Sequence, residues 1–172
     1  GEVMVIRLFV FLNVGILAYS AHADCAQQLS DAGYSVKRLA PFSDGRCGID
    51  DPVLVYATPS AKFSSPITLS CKFARKVGEW AQDMGARRID HVGGYNCRKI
   101  AGSIFWSQHS YGNAIDVTAI DGVPISKQWR SAYKTACRHF TTAIGPRHDS
   151  RHQHHLHIDN GWGFGCIADI VR

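Results

Sequence analysis

Hydrophobic positions after residue 23 follow two different periods along the chain. Between residues 68 and 84 apolar side chains recur at intervals of three and four, which predicts an amphipathic helix that ends at Gly85. The same spacing predicts a second helix over residues 126–144, which Gly145 and Pro146 terminate. The apolar positions are Leu69, Phe73, Val77, Trp80, Ala81 and Met84 in the first helix, and Trp129, Ala132, Tyr133, Ala136, Phe140 and Ile144 in the second.

Short apolar or alternating segments between these helices predict strands. We expect a short helix over residues 24–31, a turn over residues 43–51 and loops over residues 59–66, 102–105 and 147–153. The predicted strands are residues 36–39, 53–57, 88–92, 114–120 and the segment around residues 155–159. Helices and strands do not alternate regularly, so the pattern predicts an α+β domain with a small antiparallel sheet flanked by helices.

Two of these strands carry polar side chains that can bind a metal. In the strand 114–120, Asp116 points to one face and its two apolar neighbours point to the other. In the strand 155–159, His155 and His157 share one face, and the apolar residues between and after them face the core. If the two strands are neighbours, Asp116 and His157 lie over one metal ion.

A third nitrogen ligand is available from His109, seven positions before Asp116. Two imidazoles and a carboxylate suit a catalytic zinc site, which uses three protein ligands and keeps the fourth tetrahedral position for water. Copper or nickel could also occupy such a site in vitro, because raw affinity follows the Irving–Williams order.

The residues around these ligands resemble known enzymes. Ser107-x-His-x-x-Gly-x-Ala-x-Asp116 followed by His155-x-His157 is similar to the signature of the zinc D-Ala-D-Ala peptidases, which share a fold with lysostaphin-type enzymes and the hedgehog signalling domain. The segments 93–98, 136–142 and 144–146 resemble the bacterial extensin-like C-terminal family, and that likeness runs from about residue 25 to residue 166.

The resemblance to the peptidases implies zinc on His109, Asp116 and His157, with His155 beside the metal, where it helps to orient water or stabilise the transition state. It also implies that Arg98 contacts a carbonyl or carboxylate of the substrate, which a guanidinium fork can do. Alternatively, His155 only supports a metal ligand through a hydrogen bond, and Arg98 is a plain surface arginine.

The general base is where this chain departs from those peptidases. They commonly have Asp or Glu three residues before the last zinc ligand, and here that position is His154. An imidazole can accept a proton near neutral pH, so His154 is the first candidate. Asp149 and Asp159 are the acidic alternatives, and no role can be derived for His152.

The first 23 residues predict export. A short basic start, an apolar run over residues 8–18 and the small-x-small site at residues 21–23 form a secretory signal peptide, which leaves one domain over residues 24–172. A transmembrane anchor is disfavoured, because the apolar run is short and Asn13 interrupts it. Asp24 before Cys25 excludes a lipoprotein.

Cysteine content and charge agree with a periplasmic or secreted protein. All six cysteines follow the cleavage site, so we expect three disulfides, whose pairing the sequence leaves open. The net charge of +5 comes from scattered Lys and Arg, and no basic motif interleaved with aromatics indicates nucleic acid.

We therefore expect an exported zinc metallopeptidase that hydrolyses peptide stems or cross-links of peptidoglycan, a substrate class implied by the resemblance. It would act as a monomer without a membrane anchor after signal cleavage. The alternative is a zinc-containing module that binds cell wall without cutting it, and a serine hydrolase is disfavoured because the chain has no Gly-x-Ser-x-Gly. Endopeptidase or carboxypeptidase action and the chirality of the bond cleaved stay open.

Overall fold

The structure, a computed structural model, describes residues 24–146, 148–163 and 166, so the predicted signal peptide lies outside the described residues. The helices are α1 (Cys25–Asp31), α2 (Cys71–Asp83) and α3 (Ile125–His139). The strands are β1 (Ser35–Arg38), β2 (Phe42–Asp44), β3 (Cys47–Ile49), β4 (Pro52–Ala57), β5 (Lys62–Ser70), β6 (Arg88–Gly93), β7 (Ala114–Ile120), β8 (Val123–Pro124), β9 (Thr142–Ile144) and β10 (Leu156–Asp159).

Eight of these strands form one sheet in the order β1-β4-β5-β6-β7-β10-β9, with β8 paired to β7, and β2 and β3 form a separate hairpin. The helices α2 and α3 contact each other and pack against the sheet. The core contains the buried stripes of both helices and the apolar residues of β7 and β10. Since side chains alternate along a strand, the opposite face of β7 and β10 is left for the polar residues.

The helix α2 follows the predicted stripe but starts later than expected. Ser70 caps it, because its hydroxyl accepts a hydrogen bond from the Phe73 amide at 3.3 Å. Trp80 is completely buried on the stripe, and Gly85 follows the last turn with φ 63°. The predicted helix is confirmed, and its first residues belong instead to the end of β5.

The predicted loop over residues 59–66 is wrong, because β5 runs through most of it. Phe63 and Ile67 are buried strand positions that pack into the core. The pairing of β5 with β4 shifts register between Val55 and Ala57, and Pro66 lies opposite that irregularity. A proline without an amide proton is tolerated at such a position, so Pro66 does not end the strand.

The sheet is mixed and has eight strands, so the prediction of a small antiparallel sheet is corrected. The strands β5 and β6 run parallel, with Lys62 opposite Arg88 and Phe63 opposite Ile89. The reason is the helix α2, which connects the two strands as a crossover and returns the chain in the same direction. The α+β class itself is confirmed.

The helix α3 ends five residues before the predicted end. Phe140 is extended, with φ −119° and ψ 156°, and residues 142–144 form β9 on the edge of β10. The apolar spacing of Phe140 and Ile144 continues the helical period, yet the β-branched residues between and around them favour a strand once β10 is available for pairing. The turn predicted over residues 43–51 likewise contains the β2–β3 hairpin.

All six cysteines pair, which confirms the prediction of three disulfides. The bonds are Cys25–Cys71, Cys47–Cys97 and Cys137–Cys166. Cys47–Cys97 ties β3 to the segment that precedes Arg98, and Cys137–Cys166 ties the C-terminal segment to α3. Among the described residues, the helices are too short and too polar to cross a bilayer.

Candidate metal centre

Asp116 and His157 lie directly opposite each other on neighbouring antiparallel strands. The register of β7 and β10 pairs these two residues, and His157 Nδ1 is 2.8 Å from Asp116 Oδ1. Both side chains leave the sheet on the face away from the core, which confirms the predicted alternation. The residues that anchor the two strands from behind are completely buried: Ile115, Val117, Leu156 and Ile158.

His109 reaches the same point from a tight turn before β7. The turn is a short 3-10 helix, Gln108–Tyr111, in which the Ser107 hydroxyl accepts from the His109 amide at 3.3 Å. The ring is 2% exposed, and its Nδ1 donates to the Gly94 carbonyl at 2.5 Å. That bond fixes the tautomer, so Nε2 is unprotonated in the neutral ring and faces Asp116 Oδ2 at 3.2 Å.

The turn is held in place by a close approach of backbones. Gly112 ends it with φ 65°, and its carbonyl accepts from the Ser70 amide at 2.8 Å. A methyl group at this position would overlap the Ile49 side chain and lie 2.7 Å from the Ser70 nitrogen. The Ser70 hydroxyl also donates to Asn113 Oδ1 at 2.6 Å. The residues between His109 and Asp116 therefore attach the site to the start of α2.

The three candidate ligand atoms fit a tetrahedral metal. His109 Nε2 is 3.3 Å from His157 Nδ1, and Asp116 faces both imidazoles at the distances given above. Zinc bonds of about 2.0–2.2 Å set tetrahedral ligand atoms roughly 3.3–3.6 Å apart, so small outward movements would admit the ion. A second cluster, Cys25, Asp51 and Cys71, cannot supply thiolates because its cysteines form a disulfide.

Asp159 supports His157 from the side away from the other ligands. His157 Nε2 donates to Asp159 Oδ2 at 2.8 Å, and Asp159 Oδ1 accepts from the Gly161 amide at 2.6 Å. A carboxylate in this position orients a metal-binding imidazole and increases its basicity. Asp159 is 7% exposed and fully engaged, so it acts on His157 and is not free to accept a proton from the cavity.

Charge in the site favours a protonated His157 in the absence of a metal. Burial alone would lower the pKa of the His157 imidazole, but hydrogen bonds to the Asp116 and Asp159 carboxylates outweigh it and raise the pKa to about 9. Burial would raise the pKa of the Asp116 carboxyl, but its contacts with the His109 and His157 imidazoles hold it far below its usual range. Asp116 is therefore anionic throughout the physiological range.

Metal affinity should consequently depend on pH. An ion that binds His157 Nδ1 must displace a proton from a group whose pKa is about 9, so the proton competes below that pH. We expect zinc affinity to fall about tenfold for each unit of pH from 8.5 to 6.5, measured with a competing chelator dye. Affinity that stays constant across this range would contradict the assignment of His157 as a ligand.

Asp116 and His157 line a cavity of about 570 Å³, and the buried His109 lies next to them. His155 lines it, with Nε2 3.8 Å from Asp116 Oδ1, and burial lowers the pKa of its imidazole although Asp116 partly offsets the effect. Asp149 and His152 also line it and are joined by a 2.7 Å bond from His152 Nδ1. Burial would raise the pKa of the Asp149 carboxyl, but its bonds to His152 and Arg151 hold it below its usual value.

The other two predicted site residues differ in position. Arg98 lines the cavity with an exposed side chain, and its backbone is fixed by Ser110, whose hydroxyl accepts from the Arg98 amide at 3.0 Å and donates to its carbonyl at 2.9 Å. His154 is exposed and is not among the residues that line the cavity. The structure thus brings together five of the six predicted site residues and leaves out His154.

Sequence reasoning missed the parts of the site that depend on backbone atoms and on distant loops. The Gly94 carbonyl that orients His109 has no side-chain signal. The cavity walls contain Phe105, Trp162 and Arg151, which come from separate segments. An aromatic-rich stretch at residues 105–106 was the available signal for one wall, although nothing in the sequence brings residue 162 next to it.

Comparison with known proteins identifies the family. A family model described as "Extensin-like protein C-terminus" matches residues 23–165, so the chain belongs to the extensin-like C-terminal family. No curated protein and no solved structure matches the chain.

Proposed function

We propose that this extensin-like protein is a periplasmic or secreted zinc-dependent peptidase that hydrolyses peptide bonds in the stems or cross-links of peptidoglycan. The observation that carries the proposal is the convergence of two imidazoles and one carboxylate beside a ligand-sized cavity, which Asp116 and His157 line. Three disulfides support an oxidising compartment. We further propose kinship with the zinc D-Ala-D-Ala peptidase fold, supported by ligands on adjacent antiparallel strands.

In this proposal His109, Asp116 and His157 hold the metal, and Asp159 keeps His157 in the required tautomer. A bound zinc ion would polarise the scissile carbonyl and lower the pKa of an attacking water. The chain supplies the orientation of these groups, because the bond from His109 to the Gly94 carbonyl and the bond from His157 to Asp159 fix both rings before any ligand arrives.

Arg98 and His155 are the proposed partners of the reacting carbonyl. Arg98 offers a charged fork of donors at the cavity, and the bonds of Ser110 to its backbone limit how far it can move. His155 is neutral near pH 7 because burial lowers its pKa, so it offers a hydrogen bond without adding positive charge beside a metal. Together they support charge that develops on the carbonyl oxygen.

The general base is better assigned to the Asp149–His152 pair than to His154. The bond from His152 Nδ1 to Asp149 leaves His152 Nε2 as the acceptor of the neutral ring, and both residues line the cavity. An aspartate that orients a histidine in this way is a recurrent arrangement for accepting a proton. The exposed position of His154 supports a surface role for that residue.

Replacing His154 with alanine is therefore expected to change the turnover number by less than about twofold. Replacing His152 with alanine should lower it by about 100-fold or more, because a positioned proton acceptor contributes roughly 10²–10⁴-fold. Steady-state kinetics on one synthetic stem peptide compare the two variants directly. Loss of turnover in His154→Ala alone would return the base to the position that the peptidase resemblance implies.

A digestion experiment separates the peptidase from the binding module. Purified protein is incubated with cross-linked muropeptides, with zinc and with a chelator, and the products are identified by mass spectrometry. Cleavage that requires zinc supports the peptidase and identifies the bond. The exposed His154, where related peptidases have an acid, favours the module, and binding to sacculi without any zinc-dependent product would establish that alternative.

A further inference from the structure

Two arginine side chains lie on the walls of the cavity. Arg98 and Arg151 both line it, and among the described residues neither guanidinium is within ion-pair distance of a carboxylate. The three carboxylates of the cavity are already engaged by histidines: Asp116, Asp149 and Asp159. The described part of the chain therefore leaves both guanidinium groups able to bind an anionic group of a ligand.

Arg151 is held at the wall by a contact with the neighbouring loop. Its Nη1 donates to the Ala101 carbonyl at 3.2 Å, and its backbone amide donates to Asp149 Oδ1 at 2.8 Å. One of the five N–H donors of the side chain is used in this way, which leaves a positioned charged group with free donors. A guanidinium with this constraint loses less entropy when it binds a carboxylate than a mobile surface arginine does.

The wall beside the arginines is apolar and exposed. Ile100 is 47% exposed, Phe105 63% and Trp162 86%, and all three line the same cavity. A cluster of large apolar side chains left open to solvent around a concave site marks a surface that covers part of a ligand. The ligand that matches these walls carries an anion next to an apolar group.

We propose that this cavity binds a carboxylate-bearing peptide, whose carboxylate is held by Arg151 and whose neighbouring apolar group lies against Phe105 and Trp162, while Arg98 stays with the reacting carbonyl. This inference rests on the proposed function, since it names the part of the substrate that the same site recognises. Two sources of the carboxylate share this chemistry, a free C-terminus and the side chain of an acidic residue. The first requires cleavage near a chain end, and the second allows cleavage within a cross-link.

The test uses a synthetic stem pentapeptide with one glutamate and a free C-terminus, and two derivatives in which one or the other carboxylate is an amide. Binding to the full mature chain is measured by tryptophan fluorescence, which exposed Trp162 should report, with zinc and with a chelator. Amidation of the carboxylate that Arg151 binds should weaken binding about tenfold or more, both with zinc and with chelator. The derivative that is affected identifies the source.

Arg151→Gln provides the matched variant, because glutamine can still donate to the Ala101 carbonyl but has no charge. This variant should weaken binding of the parent peptide about tenfold, and it should leave binding of the amide derivative that had lost affinity unchanged. The control is Arg87→Gln, which removes an exposed arginine away from the cavity and should have no effect on binding. Equal binding of all three peptides, or equal losses in Arg151→Gln and Arg87→Gln, would overturn the inference. Because peptide binding is also measured in the presence of chelator, failure of this inference can be distinguished from failure of the zinc-dependent digestion.

Discussion

Replacing His109 or His157 with alanine is expected to leave the purified protein without stoichiometric zinc and without zinc-dependent cleavage. In the proposed site each histidine provides one of three ligand atoms, and the remaining pair cannot complete the site. Loss of a group that merely orients a ligand costs about 10–100-fold in metal affinity, so loss of a ligand itself should cost more. Metal content by mass spectrometry after dialysis against zinc gives the result directly.

His91→Ala is the control for this experiment. His91 is a partly buried histidine on β6 that bonds the Ser65 carbonyl at 2.9 Å and takes no part in the three-residue cluster. The His91→Ala variant should retain about one zinc per chain, the content that we also expect of the unaltered protein. Full zinc content in His109→Ala or in His157→Ala, with both variants folded, would refute the proposed ligand set.

Gly112→Ala is expected to destabilise the fold and distort the site together. Its φ of 65° costs an alanine about 1–2 kcal/mol, and the added methyl group meets Ile49 and the Ser70 nitrogen. Overpacking of this kind adds about 1–3 kcal/mol. The total of about 2–5 kcal/mol should lower the melting temperature by roughly 5–15 °C in a domain of this size.

Gly85→Ala isolates the contribution of the close approach. Gly85 has nearly the same φ, 63°, but a methyl group there would have nothing within 4 Å. We therefore expect Gly85→Ala to cost only the backbone term of about 1–2 kcal/mol and to leave zinc affinity unchanged. Equal melting temperatures for the two variants would show that the contact of Gly112 with Ile49 and Ser70 is not important.

The sequence predicted the ligand-bearing strands well, because alternation is a local property. In β7, Asp116 faces away from buried Ile115 and Val117, as the period of two requires. The partner strand β10 follows the same rule. Local alternation does not determine the register between β7 and β10. A shift of one residue would have moved His157 into the core, so burial of the apolar residues selects the observed pairing.

The sequence failed where tertiary pairing overrode local signals. Pro66 indicated a loop, yet the bulge in the β4–β5 pairing accommodates it within a strand. Phe140 and Ile144 continued the helical spacing of α3, yet the free edge of β10 recruits residues 142–144 as β9. In both cases the deciding interaction is pairing with another strand, which a local periodicity cannot reveal.

The Asp149–His152 pair, which we propose as the general base, could not be predicted for a related reason. The position three residues before His157 was an inference from spacing in related peptidases, and the side chain of His154 is exposed. The pairing of Asp149 with His152 depends on the short 3-10 turn Ser150–His152, which brings the two side chains within 2.7 Å. A turn of three residues has too little periodicity to appear in a sequence pattern.

The most direct test of the metal centre is an anomalous-difference map from crystals of the zinc-loaded protein, collected at the zinc edge. We expect one strong peak, which marks a zinc ion about 2.0–2.2 Å from His109 Nε2, His157 Nδ1 and an Asp116 oxygen. A zinc peak elsewhere, with these three side chains bonded only to one another, would contradict it.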